Sequence, residues 1–230
     1  MISRLTAIAV CVACGLAAQV PSLQAQAPER PAGALPLRAP APADFVGTAW
    51  AIDTQVLGDL NGDRRDDLVL TLQAPATTTA DDERQRALLI LLRERDGQLR
   101  RAAFAEKLLQ CPSCGGAFYG TAEAPAHVSI SKGTVIVRQE HGSRNVVEQT
   151  FRFRFEPSSD RFWLIGLDLA DRDRATGALV QQSTNYLTGQ RTVTRSQFDQ
   201  RTQRFERRSS TRTRVPKDRI PVEDVDYEAY

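Results

Sequence analysis

Strand-like runs joined by short turn signals recur along most of this chain and constrain its fold more than any other feature. Asp96-Gly97, Lys132-Gly133, residues 157–160 and Thr188-Gly189 each separate two runs rich in β-branched and aromatic residues. Short turns of this kind between alternating runs are typical of β-hairpins. The predicted strands occupy residues 45–52, 67–72, 86–93, 98–104, 127–131, 134–139, 144–156, 161–170, 179–186 and 191–196. We therefore predict an all-β fold built as a meander of about ten strands.

The edges of such a meander limit the architectures that remain. Unpaired edge strands invite aggregation, so a long meander must close on itself or stack. A small propeller-like domain or a twisted open barrel would meet that requirement. The only helix that the pattern allows is a turn or two around residues 104–109.

Short oxygen-bearing side chains cluster between the first two predicted strands. Asp59, Asn61, Asp63 and Asp67 follow one another in a single polar loop that leads into an apolar strand. Alternate positions of a tight loop can aim their oxygens at one point, and Ca²⁺ takes six to eight oxygen ligands in irregular geometry. The spacing predicts a Ca²⁺ site with these four side chains and the main-chain carbonyl of Arg65 as ligands. The alternative is an acidic turn of the Asx type that holds no metal.

The N-terminal residues have the composition of an export signal. Arg4 precedes an apolar run over residues 5–18, and a small residue follows at Ala25. We predict a cleaved signal peptide at residues 1–25, which implies a periplasmic or secreted protein. The apolar run is shorter than the roughly 20 residues of a spanning helix, so we expect no transmembrane helix after cleavage. A lipid anchor at Cys14 is the alternative.

Composition divides the rest of the chain into three parts. Residues 26–44 are rich in Pro and Ala, which predicts an extended linker. Residues 45–205 carry the strand signals and form the predicted β domain. Residues 206–230 are rich in Arg, Ser and Thr and then acidic, which predicts a mostly disordered tail.

The balance of charge argues against one class of partner. The formal net charge is +2, and the basic residues are mixed with acidic ones along the sequence. Dedicated nucleic-acid binding requires a concentrated basic face. We therefore expect no nucleic-acid partner.

Two cysteines, Cys111 and Cys114, follow the predicted signal peptide. In an exported protein this isolated pair is expected to form a disulfide bond. A zinc site would need four ligands, and the chain has only His127 and His141 to add. A dithiol redox site is the weaker alternative, because the glycine-rich residues 115–120 do not begin a helix that would activate a thiol.

No constellation of residues predicts catalysis. His141 and Ser143 lie together at a hairpin tip, but no acidic residue is placed to orient the imidazole. The pair Asp66-Asp67 overlaps the predicted metal loop, and the pair Asp81-Asp82 lies in a polar loop. We expect a protein that is not an enzyme.

Several stretches together resemble one family of exported bacterial proteins. They are residues 59–63 with 67–70, 87–92, 111–120, 142–144, 151–155, 162–166 and 185–189. The first is similar to the calcium loops of FG-GAP and VCBS repeats. The set resembles the single-calcium-loop periplasmic proteins that include immunity proteins against lysozyme-like peptidoglycan hydrolases. That resemblance implies a β-propeller-like fold, and inhibition by a loop that plugs the catalytic groove of the hydrolase.

Two loops offer residues for such a contact. The hairpin tip offers His141, Ser143 and Arg144, and the loop closed by the cysteines offers Phe118 and Tyr119. A rigid aromatic ring or an Arg suits a cleft that is acidic at its catalytic carboxylates. Two other functions stay open: a calcium-stabilised envelope module that binds or supports other components without inhibiting, and a dithiol redox protein.

Overall fold

The computed structural model describes residues 35–75, 84–120 and 122–230. The predicted signal peptide and the first part of the predicted linker lie outside these residues, as does the acidic pair Asp81-Asp82. Within the described ranges, every helix is too short or too polar to span a bilayer.

The described residues form twelve strands and one short helix. The strands are β1 Arg38–Ala39, β2 Ala51–Gly58, β3 Asp67–Gln73, β4 Arg86–Arg93, β5 Leu99–Ala105, β6 Ala126–Ser131, β7 Thr134–Gly142, β8 Asn145–Glu156, β9 Arg161–Asp173, β10 Ala178–Asn185, β11 Gln190–Asp199 and β12 Arg204–Arg214. The helix is α1 Ala43–Val46, and three 3₁₀ turns cover Pro112–Gly115, Val222–Asp224 and Tyr227–Ala229.

The strands pair into two antiparallel sheets. The first has the order β1-β5-β4-β3-β2, and the second runs without interruption from β6 to β12. The predicted all-β meander is confirmed, with twelve strands instead of about ten, and the four predicted hairpin turns join β4 to β5, β6 to β7, β8 to β9 and β10 to β11. The two meanders stack, and the described residues contain no closed barrel.

The main core lies between the two sheets. Leu88, Ile90 and Leu92 alternate along β4 and are at most 2% exposed on the side of the second sheet. They meet Phe151 and Phe153 of β8, whose rings are fully buried. Because successive side chains of a strand point to opposite faces of the sheet, alternate residues of β4 enter this core and the others point to the opposite face.

A second core covers the outer face of the five-stranded sheet. Leu89 and Leu91 of β4 pack there against Leu35, Ala39 and Phe45. Residues 35–44 therefore belong to the fold, whereas the sequence predicted them as part of an extended linker. The strand predicted at residues 45–52 is also wrong up to residue 50, because β2 begins at Ala51 and α1 turns the side chain of Phe45 into this core. An apolar run such as β4 is buried on both faces, so a third layer is required.

The C-terminal residues are ordered where the sequence predicted mostly disorder. β12 occupies residues 204–214, and the chain then returns to the core, where Val222 and Val225 are at most 1% exposed. Leu164 N–H donates to the carbonyl of Ile220 at 2.9 Å. Charge dominates the composition of this strap, defined as residues 215–230, but five of its side chains pack into the main core: Ile220, Val222, Val225, Tyr227 and Tyr230.

The helix predicted around residues 104–109 is absent, because β5 continues to Ala105 and an irregular segment follows. Leu108 and Leu109 are buried in the main core. The side chain of Gln139 replaces the missing helical hydrogen bonds: its Oε1 accepts from Gln110 N–H at 3.0 Å, and its Nε2 donates to the carbonyl of Leu108 at 3.1 Å. A buried polar side chain can thus satisfy irregular backbone in a core.

We predict that the strap contributes measurably to stability. Val222→Ala should lower the free energy of unfolding by about 2 kcal/mol, because it removes two buried methyl groups and leaves a small cavity. Lys217→Ala, an exposed position in the same segment, serves as the control and should change it by less than about 0.5 kcal/mol. Chemical denaturation of both variants measures the difference, and equal midpoints would contradict the buried strap.

Candidate functional site

The predicted calcium loop connects β2 to β3, and Asp67 anchors its end. The carboxylate of Asp67 is fully buried at the start of β3. One oxygen accepts from Leu60 N–H and the other from Arg93 N–H, both at 2.8 Å. This side chain therefore ties the loop to the neighbouring strand β4.

The remaining predicted ligands fold the loop through bonds to nearby main-chain N–H groups. Gly62 N–H donates to Asp59 Oδ1 at 2.7 Å, and Asp63 N–H donates to Asn61 Oδ1 at 3.0 Å. Arg65 N–H donates to Asp63 Oδ1 at 2.9 Å. Successive Asx turns of this type hold a tight loop in one shape. Each of these oxygens keeps a second lone pair for a further partner.

Two residues at the tip of the loop have left-handed backbone. Gly62 has a φ of 84°, which costs glycine little, and Arg64 has a φ of 66°. For a residue with a side chain that conformation costs about 1 kcal/mol. The bond from Arg64 N–H to Asp59 Oδ2, at 2.9 Å, offsets part of the cost.

Negative charge is concentrated in this loop. Burial raises the pKa of Asp67, and the charges of Asp63 and Asp59 add to that effect, against hydrogen bonds from main-chain N–H groups that lower it. Burial alone would also raise the pKa of Asp59, but bonds from Arg64 and Gly62 N–H bring it below the usual value. A cation near the three carboxylates would relieve their repulsion.

In the described geometry the nearest cation is a side chain. The guanidinium of Arg65 forms an ion pair with Asp63 and donates to the carbonyl of Arg93 at 3.1 Å. Across the ranges that the structure describes, no three His, Cys, Asp or Glu side chains converge as a metal site. The donor chemistry still fits Ca²⁺, because short carboxylate and amide oxygens already line a closed loop, and ion binding requires Asp63 to exchange the guanidinium for the metal. Calcium binding remains a prediction.

We predict that Ca²⁺ raises the thermal unfolding temperature of the protein relative to EDTA. A ligand at 100 times its dissociation constant adds about 2.7 kcal/mol to the free energy of unfolding. Asp63→Ala should remove this increase, and Asp66→Ala should retain it, because the exposed neighbour Asp66 has the same charge but is not a predicted ligand. Differential scanning fluorimetry measures both, and identical curves for the wild type in Ca²⁺ and EDTA would rule out the metal.

A second candidate site lies where three loops meet. Cys111 and Cys114 form the predicted disulfide bond, which confirms that prediction, with the Cα atoms 5.0 Å apart. The bond closes the turn at the start of a loop over residues 111–120. Because Pro112–Gly115 is a single 3₁₀ turn, these cysteines do not sit at the start of a helix like the reactive thiols of dithiol enzymes.

The disulfide loop contacts the hairpin tip between β7 and β8. Phe118 N–H donates to the carbonyl of Gly142 at 2.8 Å. Gly116 permits this approach, because a Cβ there would lie 2.6 Å from that carbonyl oxygen. Gly142 permits the tight hairpin tip itself, because a Cβ there would clash with the carbonyl of Asn145. The two loops that the sequence offered as separate candidates are therefore one surface.

The turn between β9 and β10, residues 173–177, completes the surface. Its Arg174 places the guanidinium carbon 5.2 Å from the centre of the Phe118 ring, a cation–π distance. Arg174 N–H donates to the carbonyl of Arg144 at 3.0 Å, and its Nη1 donates to the carbonyl of Ser143 at 3.2 Å. We call residues 111–120, 141–145 and 173–177 together the three-loop edge.

The residues predicted to contact a partner differ in their exposure and in the bonds that they already form within the protein. Phe118 is 38% exposed, and Ser143 is exposed as well. Tyr119 packs against Gly115 and its hydroxyl donates to Glu140 at 3.2 Å. Arg144 is exposed but forms a two-bond ion pair with Asp173, at 2.8 and 3.2 Å. Phe118 is thus more available to a partner than Tyr119 or Arg144.

His141 is half-buried behind this surface. Its ring stands edge-on to Tyr227 of the strap, with centroids 6.4 Å apart. Burial lowers the pKa of His141, and its Nδ1 is buried with no hydrogen-bond partner among the described residues. His141 therefore supports the edge from behind, as a neutral ring, instead of forming part of its surface.

We predict that His141 makes stability depend on pH. A histidine whose pKa is lowered by folding contributes stability above the unfolded pKa of about 6.5, and that contribution is lost as the pH falls through the folded pKa. Denaturation between pH 7.5 and 5 should show the free energy of unfolding decreasing. His141→Gln should flatten this slope, whereas His127→Gln, at an exposed position, should not. Equal slopes in the wild type and both variants would contradict this.

Two residues of the surface, Asp173 and Arg174, escaped the sequence analysis. Asp173 accepts from Arg144, and its Oδ1 also accepts from Ala175 N–H at 2.9 Å, so it shapes the turn while holding Arg144. Bonding from Arg144 holds the pKa of Asp173 well below the usual aspartate value. The sequence does contain a signal for this turn, because Asp173 stands four residues before Gly177, which is a common turn pattern. The predicted strands on either side did not use it.

Comparisons with known proteins add no relative. No family model matches the chain, no curated protein matches its sequence, and no solved structure matches its fold.

Proposed function

We propose that this protein is an exported, calcium-stabilised β domain that inhibits a lysozyme-like peptidoglycan hydrolase. In this proposal the three-loop edge enters the catalytic groove of the enzyme, and the calcium loop keeps the five-stranded sheet rigid. The observation that carries the proposal is the convergence of the disulfide loop, the hairpin tip and the β9–β10 turn around an exposed Phe118. The resemblance described for the sequence supplies the class of target.

The edge is suited to insertion because little of it has to be ordered on binding. The Cys111–Cys114 bond, the main-chain bond from Phe118 to Gly142 and the Arg144–Asp173 pair each link two parts of it. Association loses affinity for every side chain or loop that becomes immobilised. A preformed edge avoids that loss.

The chemistry of the edge suits an acidic cleft. Phe118 offers a rigid aromatic ring, and Arg174 stacks on it with no carboxylate partner among the described residues. A glycoside hydrolase has two carboxyl groups at the bond that it cleaves. Arg174 could form charge-assisted hydrogen bonds with them, whereas Arg144 would first have to leave Asp173.

The first experiment measures clearing of a peptidoglycan suspension by a panel of lysozyme-like hydrolases, with and without the mature protein in Ca²⁺ buffer. Stoichiometric suppression of one hydrolase is the expected result. If the folded protein suppresses none of the panel and binds none of its members, the inhibitor proposal fails, and an envelope-binding module is the better description.

We predict that Phe118→Ala and Arg174→Ala each weaken inhibition by more than about 1 kcal/mol, roughly a fivefold rise in the inhibition constant. Arg144→Ala should have a smaller effect, because that side chain is paired within the protein. Phe205→Ala and Arg95→Ala are matched controls, as both residues are exposed and lie outside the edge. Unchanged inhibition by the first two variants would exclude the three-loop edge as the contact.

A further inference from the structure

The outermost strand of the seven-stranded sheet is unprotected. β12 pairs with β11 on one side, and no other described strand pairs with its outer side. All eleven of its residues are exposed, on both faces. Such an edge presents a row of main-chain donors and acceptors to solvent.

The register shows which groups face outward. Val215 N–H donates to the carbonyl of Gly189, so the position next to the Gln190–Arg214 pair is a hydrogen-bonded one. Hydrogen-bonded and open pairs alternate along an antiparallel ladder. The N–H and C=O groups of Ser210, Arg212 and Arg214 therefore point away from β11. The register is regular over residues 209–214, because the bulge of this hairpin lies before Ser209.

Positive charge is concentrated around this edge. Residues 190–219 contain ten Arg or Lys and three Asp or Glu, a formal net charge of +7, while the whole chain has +2. These residues are contiguous in sequence, so positive charge is concentrated here although the chain as a whole is nearly neutral. Seven of the arginines in this range have no ion pair with another described residue: Arg191, Arg195, Arg201, Arg204, Arg207, Arg212 and Arg214.

The arginines surround the edge instead of covering one face. Arg207, Arg212 and Arg214 lie opposite Ser196, Thr192 and Gln190, and these six positions share one face of the hairpin. Arg204 lies on the other face, opposite Asp199. A polymer lying flat on either face would meet only part of this charge. A ligand that runs along the outer side of β12 would be within reach of the arginines on both faces.

We propose that β12 is a docking edge for an acidic, extended segment of a partner protein, which adds to the sheet as an eighth strand beside residues 209–214. Main-chain hydrogen bonds from Ser210, Arg212 and Arg214 would supply affinity, and carboxylates on the added strand would pair with the arginines. This surface is separate from the three-loop edge, and the proposal does not depend on hydrolase inhibition.

The positive charge of β12 also argues against a second copy of the chain as the partner at this site. Two β12 strands pairing edge to edge would bring arginine-rich strands together, and like charges across a sheet are destabilising. The arginines that discourage self-association therefore favour an acidic strand.

The test uses fluorescence anisotropy of labelled peptides with the full protein. The probe is an eight-residue peptide of alternating Glu and Val, and a peptide of alternating Lys and Val is its control. Only the acidic probe should bind, with affinity falling as salt is added. A copy of the acidic probe with alternate main-chain nitrogens methylated should bind at least tenfold more weakly, because it cannot complete the ladder.

Variants of β12 test the contribution of its main-chain hydrogen bonds separately from that of its positive charge. Ser210→Pro removes an outward N–H and should lower affinity at least tenfold, whereas Ser210→Ala keeps that N–H and should stay within twofold. The double variant Arg212→Glu, Arg214→Glu should abolish binding, and Arg95→Glu, an exposed arginine of the β4–β5 turn, should not.

Three results would overturn the proposal. One is failure of the acidic probe to bind the folded wild type. Another is equal binding of the methylated probe, together with competition by polyphosphate, which would indicate a general polyanion surface. The last is a dimer in sedimentation velocity that Arg212→Glu, Arg214→Glu abolishes, which would make a second copy the occupant.

Discussion

The burial of β4 on both faces is the constraint on which the rest of this structure depends. Residues 87–91 are an unbroken apolar run with no exposed area. One face of the strand requires the seven-stranded sheet, and the other requires the helix α1 with the residues before it. At about 25 cal/mol per Å² of apolar surface, exposing either face would cost more than a domain of this size can spare.

A buried polar network joins the strap to this arrangement. Gln149 accepts from Gln139 at 3.2 Å, and its Nε2 donates to the carbonyls of Tyr227 and Tyr230, both at 3.0 Å. Satisfied amides of this kind select one packing among several, because any other leaves a polar group buried without a partner. The same network reaches His141 through Tyr227, so the support of the three-loop edge and the docking of the strap are linked.

The hairpins could be predicted from local sequence signals. The features that the sequence did not predict depend on long-range packing. Turns such as Asp96-Gly97 fix strand pairs between neighbours in sequence, so the pairs β4–β5, β6–β7, β8–β9 and β10–β11 follow from the sequence directly. The role of Phe45 depends on a sheet face that no local pattern identifies. β12 lacks an apolar periodicity altogether, because both of its faces are exposed, and a polar strand of this kind has the composition of a disordered segment.

The same distinction between local signals and long-range packing applies to the two candidate sites. The calcium-type loop is contiguous in sequence, so its four side chains could be chosen without a structure. The three-loop edge unites segments about 30 residues apart, and only the fold shows that Arg144 is already paired with Asp173 while Arg174 stacks on Phe118. The sequence offered two of the three loops, but it could not show which arginine has no carboxylate partner among the described residues, because that depends on how the turns after β7 and β9 pack. Because an arginine already paired within the protein gains less from a new carboxylate, we propose Arg174 instead of Arg144 as the anchor of the proposed contact.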